Sequence, residues 1–269
     1  MPPALRVARY GRSVLRAFLD GRVYGNQRGE DPPLVIALHG WQRSSSDFDA
    51  VLSSKNPAID DPFHGEVIPS ISLDLPGFGD SPTPPNAWGS ADYARALLPI
   101  FADLPAAVVV LGHSFGGRVA LHLATMAPER VRGLVLTGVP LGTRSTQTRP
   151  RANPRYRLVR RAASLGLVPD AWLERARQRY GSRDYREATG VMRQVLVATV
   201  QESYESLYPQ IALPVELVWG ENDTVAPVSV AKQVVADFPD ARLTIVEHTG
   251  HLLPTESPDA LRRALAKWR

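Results

Sequence analysis

The chain has no cysteine, only three methionines and 7% aromatic residues in 269 positions. Without thiols it can form no disulfide, no thiolate nucleophile and no cysteine-ligated metal site. Long hydrophobic runs are missing as well: none approaches the roughly 18 apolar residues of a membrane-crossing helix. The stretch from Met1 to Val7 lacks the apolar heart of a signal peptide. A soluble, cytoplasmic chain without a membrane span is the expectation. No internal repeat is visible, and few aromatics interleave the basic positions. Together with the lack of a nucleic-acid-binding motif, that makes a nucleic-acid partner unexpected.

What is present is a globular composition, 44% hydrophobic and 22% charged, enough to bury a large core. Apolar, β-branched runs recur at Leu34 to Leu38, Val67 to Leu73, Ala106 to Leu111, Gly133 to Leu136, Pro214 to Trp219 and Arg242 to Val246. Their continuous rather than alternating apolarity indicates strands covered on both faces, the pattern of a mostly parallel sheet flanked by helices. Leu5 to Tyr10 and Arg22 to Tyr24 are read as an antiparallel edge pair. Helical spacing marks Ser114 to Ala127, Val228 to Phe238 and Glu256 to Trp268; Asp92 to Leu104 is helical too, with Pro99 expected to kink or shorten it.

From residue 141 to 207 the strand-helix rhythm stops. That stretch holds thirteen arginines, no lysine and six acids, a net charge of +7 in a chain of +4, so the rest is net −3. It is read as a helical cap inserted into a core made of residues 1–140 and 208–269. Its arginines, among them Arg144, Arg149, Arg151, Arg155, Arg157, Arg160 and Arg161, would attract anions or simply form a solvated face.

The densest chemical signal is Gly112-His113-Ser114-Phe115-Gly116-Gly117, a GxSxG pattern between an apolar run and an amphipathic helix. The glycines permit a sharp strand-to-helix turn that holds the serine clear of the backbone. By itself Ser114 could be a helix N-cap. A serine hydroxyl needs a base, a carboxylate to orient that base, and donors for an oxyanion, each at a strand's carboxyl end. His251, in the loop beyond Arg242 to Val246, is the candidate base, with His248 its nearest rival. Asp223, beyond Pro214 to Trp219, is the candidate carboxylate, ahead of Glu221; an Asx-turn or helix cap is its plainer reading. Backbone N–H groups of Trp41 and Phe115 are the candidate oxyanion donors, and His39, Gly40 and Trp41 are assigned to substrate binding. His113 should point away from the serine.

With His39-Gly40-Trp41, Asp74-Leu75-Pro76-Gly77-Phe78-Gly79-Asp80-Ser81, Gly112 to Gly117, Gly220 to Pro227 and Gly250-His251 in this order, nearly the whole chain resembles the α/β-hydrolase fold superfamily. The resemblance implies a cap after the strand at Gly133 to Leu136 and a structural role for Asp74 to Ser81 near the site. Relatives with an aspartate nucleophile, the haloalkane dehalogenases and epoxide hydrolases, carry it where this chain has Ser114, which argues against both activities. The expected function is a cofactor-free, metal-free serine hydrolase that cleaves a small carboxylic ester or thioester through an acyl-enzyme on Ser114. Carbon–carbon bond hydrolases, perhydrolases or acyltransferases of the same fold, and a ligand sensor with a nearly inactive triad, are the alternatives. Nothing in the sequence bears on oligomeric state.

Overall fold

Buried on both faces, the β-branched runs can only be satisfied by helices above and below a sheet. The computed structural model describes residues 13–53, 58, 60–142, 154–165, 167–180 and 183–269. Among these, eight strands form one sheet in the order β1-β2-β4-β3-β5-β6-β7-β8. They are β1 (Ser13–Phe18), β2 (Val23–Arg28), β3 (Val35–Leu38), β4 (Ser70–Asp74), β5 (Val108–His113), β6 (Val131–Thr137), β7 (Val215–Gly220) and β8 (Ala241–Val246). The first two run antiparallel and the rest parallel.

The edge pair is therefore present, but it joins Ser13–Phe18 to Val23–Arg28; Leu5 to Tyr10 lies outside the described residues. The strand expected from Val67 begins at Ser70 because Pro69 has no N–H to give a ladder. Its carbonyl instead accepts from Leu34 and Val35 at the start of β3.

The helices are α1 (Asp49–Leu52), α2 (Ser90–Ala102), α3 (Phe115–Met126), α4 (Pro154–Ser164), α5 (Asp170–Tyr180), α6 (Arg183–Glu187), α7 (Gly190–Thr199), α8 (Val228–Val234), α9 (Leu253–Glu256) and α10 (Pro258–Leu265). Alternation along β3 shows the two layers. Ile36 and Leu38 enter the core shared with α2, α3 and α8, while Val35 and Ala37 enter the one shared with α1, α9 and α10. Pro99 does not end α2, which continues to Ala102. Both Pro99 and Arg95, whose carbonyl loses its donor, are exposed, so the missing bond leaves no buried polar group.

The stretch expected to be a cap supplies α4 to α7, all between β6 and β7. Its residues 143–153, with Arg144, Arg149 and Arg151, and residues 166 and 181–182 lie outside the described residues. Arg157 and Arg161 of α4 are exposed. No helix among the described residues is long and apolar enough to cross a membrane.

On the face opposite α2 and α3, a buried ion pair ties α10 to the segment around Asp61. Arg262 of α10 donates from Nε and Nη2 to the two carboxylate oxygens of Asp61, each at 2.9 Å, and also to the carbonyls of Val51 and Glu66. Burial would raise the Asp61 carboxyl, but Arg262 and the N–H groups of Gly65 and Phe63 outweigh it and hold it at about 2, below the ordinary 3.8. A carboxylate depressed in the folded state stabilises above its unfolded value, and that contribution fades as pH falls toward the folded one. Asp61→Asn should therefore lower Tm at pH 7 by roughly 6 °C or more, since one partner of a buried pair is lost. The deficit should close as pH drops from 3.8 to about 2; a gap that stays constant in calorimetric scans across this window would refute the assignment.

Candidate active site

β5 is buried along its whole length and delivers the chain to Ser114 at the sheet's carboxyl edge. Ser114 has φ 49° and ψ −108°, a region costly for a residue with a Cβ. The turn survives because two neighbours have none. A Cβ on Gly112 would lie 2.6 Å from Gly117 Cα, and one on Gly116 would lie 2.1 Å from the Leu38 carbonyl oxygen. The N–H groups of Gly117 and Arg118 donate to the Ser114 carbonyl at 3.2 and 3.3 Å and start α3. The serine hydroxyl makes no cap bond, so it is not spent as an N-cap.

Asp223 and His251 arrive from the loops after β7 and β8. These loops are stitched together by the N–H groups of Glu221 and Asn222, which donate to the Val246 and Thr249 carbonyls, each at 2.9 Å. Asp223 Oδ1 accepts the N–H groups of Val225 and Ala226, both at 2.8 Å. Its Oδ2 lies 2.8 Å from His251 Nδ1, and the carboxylate is 1% exposed. On the other side of the ring, His251 Nε2 lies 3.2 Å from Ser114 Oγ. The structure thus brings the three side chains together in the order hydroxyl, imidazole, carboxylate. The Asx-turn expected of Asp223 is formed by the same side chain, through its other oxygen.

His113 does point away from the serine. Its Nε2 lies 3.0 Å from the His251 carbonyl, where it donates, and the two rings stand 5.0 Å apart. Burial, reinforced by repulsion from His251, lowers the His113 pKa to about 3. It is a neutral brace beneath the loop that carries His251.

Trp41 and Phe115 flank Ser114 in a cavity of about 400 Å³, their rings 5.6 Å apart and edge to face. Among the described residues neither backbone N–H of this pair donates to a backbone acceptor. The assignment of His39 and Gly40 to substrate binding is corrected. His39 is fully buried, its Nδ1 donates to the Gly40 carbonyl at 2.7 Å and its Nε2 accepts the Leu75 N–H at 2.9 Å. Burial, its largest influence, lowers its pKa, so it is a neutral link between the ends of β3 and β4. Gly40 packs on the His113 ring, and neither residue lines the cavity.

The Asp74 to Ser81 turn is an internal scaffold, as expected. Asp74 accepts the N–H groups of Ser45 and Asp80, its carbonyl accepts the Ser81 hydroxyl, and Phe78 packs edge to face on Trp41 at 5.0 Å. Of the rivals, His248 and Glu221 are exposed and bond each other through the His248 N–H. Missed by sequence reasoning were Arg118, Asp184, Tyr185 and Leu196, which also line the cavity. Arg118 was findable, since four residues past Ser114 on a helix is the same face one turn on. The others come from α6 and α7, whose docking no local pattern encodes.

The chain is 30% identical over 242 residues to a pimeloyl-[acyl-carrier protein] methyl ester esterase of Nitrosomonas europaea, spanning 83% of this chain and 90% of that one. It is 22% identical to a 2-hydroxy-6-oxononadienedioate/2-hydroxy-6-oxononatrienedioate hydrolase of Pseudomonas sp, covering 91% of each. A solved hydrolase from Pseudomonas aeruginosa PA01 superposes with a TM-score of 0.66 at 23% identity, over 96% of this chain and 98% of that one. A sequence profile matches residues 35–264. With its sheet order, its strained serine turn and its three converging side chains, the chain belongs to the alpha/beta hydrolase family.

Proposed function

We propose that this protein is a serine esterase that cleaves a small carboxylic ester through an acyl-enzyme on Ser114. The observation that carries the reading is the unbroken relay from Ser114 Oγ to His251 Nε2 and from His251 Nδ1 to Asp223 Oδ2. In it, His251 takes the hydroxyl proton as Ser114 Oγ attacks the ester carbonyl. Asp223, fixed by the Val225 and Ala226 amides, keeps the Nδ1–H tautomer and stabilises the imidazolium. The amides of Trp41 and Phe115, free of backbone acceptors, receive the developing oxyanion; the second lies at the N-terminus of α3, where the helix dipole favours negative charge. The imidazolium then protonates the leaving alkoxide, and water repeats the sequence to release the acid.

The relatives support an ester as the scissile group, because the Nitrosomonas europaea protein is named for a methyl ester. Residues 141–207 act in this reading as a cap: α6 and α7 supply Asp184, Tyr185 and Leu196 to the wall of the cavity that Trp41 and Phe115 also line, so acyl groups enter beneath them. The Pseudomonas sp relative favours one second reading, carbon–carbon cleavage by the same residues.

Mixing the protein with p-nitrophenyl butyrate should release a burst of one p-nitrophenol per chain, and Ser114→Ala should abolish it. Hydrolysis that persists in Ser114→Ala would overturn the proposal. Turnover of a 2-hydroxy-6-oxo dienoate with no ester burst would select the second reading. Asp223→Asn should lower kcat about 10⁴-fold, because the amide presents the wrong group to His251 Nδ1; a loss under tenfold in steady-state assays would remove the carboxylate from the relay.

A further inference from the structure

The cavity beside Ser114 is apolar along most of its wall, with Val139, Leu196, Val197 and Val230 among its lining. Into it, one helical turn past the nucleophile, comes the guanidinium-bearing residue Arg118. Among the described residues no carboxylate lies within ion-pair distance of this side chain. One N–H of Nη1 donates to the Thr199 carbonyl at the end of α7, and the guanidinium stands 5.8 Å from the centre of the Tyr204 ring. These two contacts fix its direction and, among the described residues, leave its charge without a counterion. Glu202, which also acts on Tyr204, spends both carboxylate oxygens on Ser90 and Tyr204. The acid that shares the cavity lining, Asp184, forms no ion pair with Arg118 among the described residues.

A guanidinium has five N–H donors in a fork that matches a carboxylate. Holding such a charge beside an apolar wall without a counterion is unfavourable, and an anion that fills the rest of the fork removes the penalty. The helix rise puts the Arg118 backbone about 6 Å along α3 from that of Ser114, and the reach of the arginine side chain sets the remaining length, on the scale of a short acyl chain with its ester carbonyl at the serine.

We propose that Arg118 receives a carboxylate at the far end of the acyl chain, which makes the substrates monoesters of short dicarboxylic acids. This deepens the esterase reading and rests on it. The apolar wall accepts the methylenes, the guanidinium accepts the terminal charge, and the alcohol leaves on the His251 side.

The test compares methanol release from monomethyl adipate and monomethyl suberate with that from methyl hexanoate and methyl octanoate, in the wild-type chain and in Arg118→Met and Arg118→Lys. Wild type should favour one of the hemiesters over its neutral partner by about 10- to 100-fold in kcat/KM. That ratio should shrink in Arg118→Lys, which keeps the charge without the fork, and fall to about one in Arg118→Met. An unchanged ratio in Arg118→Met, or a wild-type ratio near one, would overturn the proposal. Calorimetric binding of adipate and suberate to Ser114→Ala, and its loss in the Ser114→Ala, Arg118→Met double variant, needs no turnover and therefore stands apart from the esterase reading. Ester hydrolysis without diacid binding sinks this inference alone; diacid binding without ester hydrolysis sinks the esterase reading alone.

Discussion

Where α3 crosses the end of β3, two backbones meet with no side chain between them. Gly116 donates its N–H to the His39 carbonyl at 2.9 Å, and its missing Cβ leaves room for the Leu38 carbonyl. This one contact sets the position of the serine turn relative to the loop that begins at Gly40, and so it also sets how the Trp41 and Phe115 amides stand to Ser114. A second pin, from the Ser114 N–H to the Thr137 carbonyl at 2.9 Å, ties the turn to β6. The nucleophile is therefore placed by the sheet itself, and the strain at its φ and ψ is borne by contacts on both sides.

Three histidines near this crossing show how surroundings divide one side chain into different jobs. His39 and His113 are buried, and burial disfavours the protonated ring in each. Their ring nitrogens are used to hold loops: His39 spans the ends of β3 and β4, and His113 braces the His251 carbonyl. Only His251 stands between a carboxylate and a hydroxyl, the one setting of the three in which a proton can be taken up and returned.

The elements legible in the sequence are those where local chemistry and tertiary demand coincide. The run ending at Leu111, the glycines around Ser114 and the helix spacing from Phe115 to Met126 all describe one strand-turn-helix unit, and the structure has it. Loops at strand ends likewise told which Asp and which His could meet the serine. His39 was misread because a histidine beside an expected oxyanion loop looks like a ligand group, and only the fold reveals that both its nitrogens are already taken. The start of β4 was misplaced because hydropathy sees Val67 and Ile68 but not that Pro69 cannot join a ladder. Arg118 carried a helical-spacing signal that was readable, whereas the cavity residues of α6 and α7 depend on how a long excursion returns to the sheet.

The Arg262 to Asp61 clamp joins positions 201 residues apart, and the helix that carries it is separated from the loop of His251 only by the short α9. Losing Arg262 would therefore loosen two distant segments at once, the one around Asp61 and the one that leads back to His251.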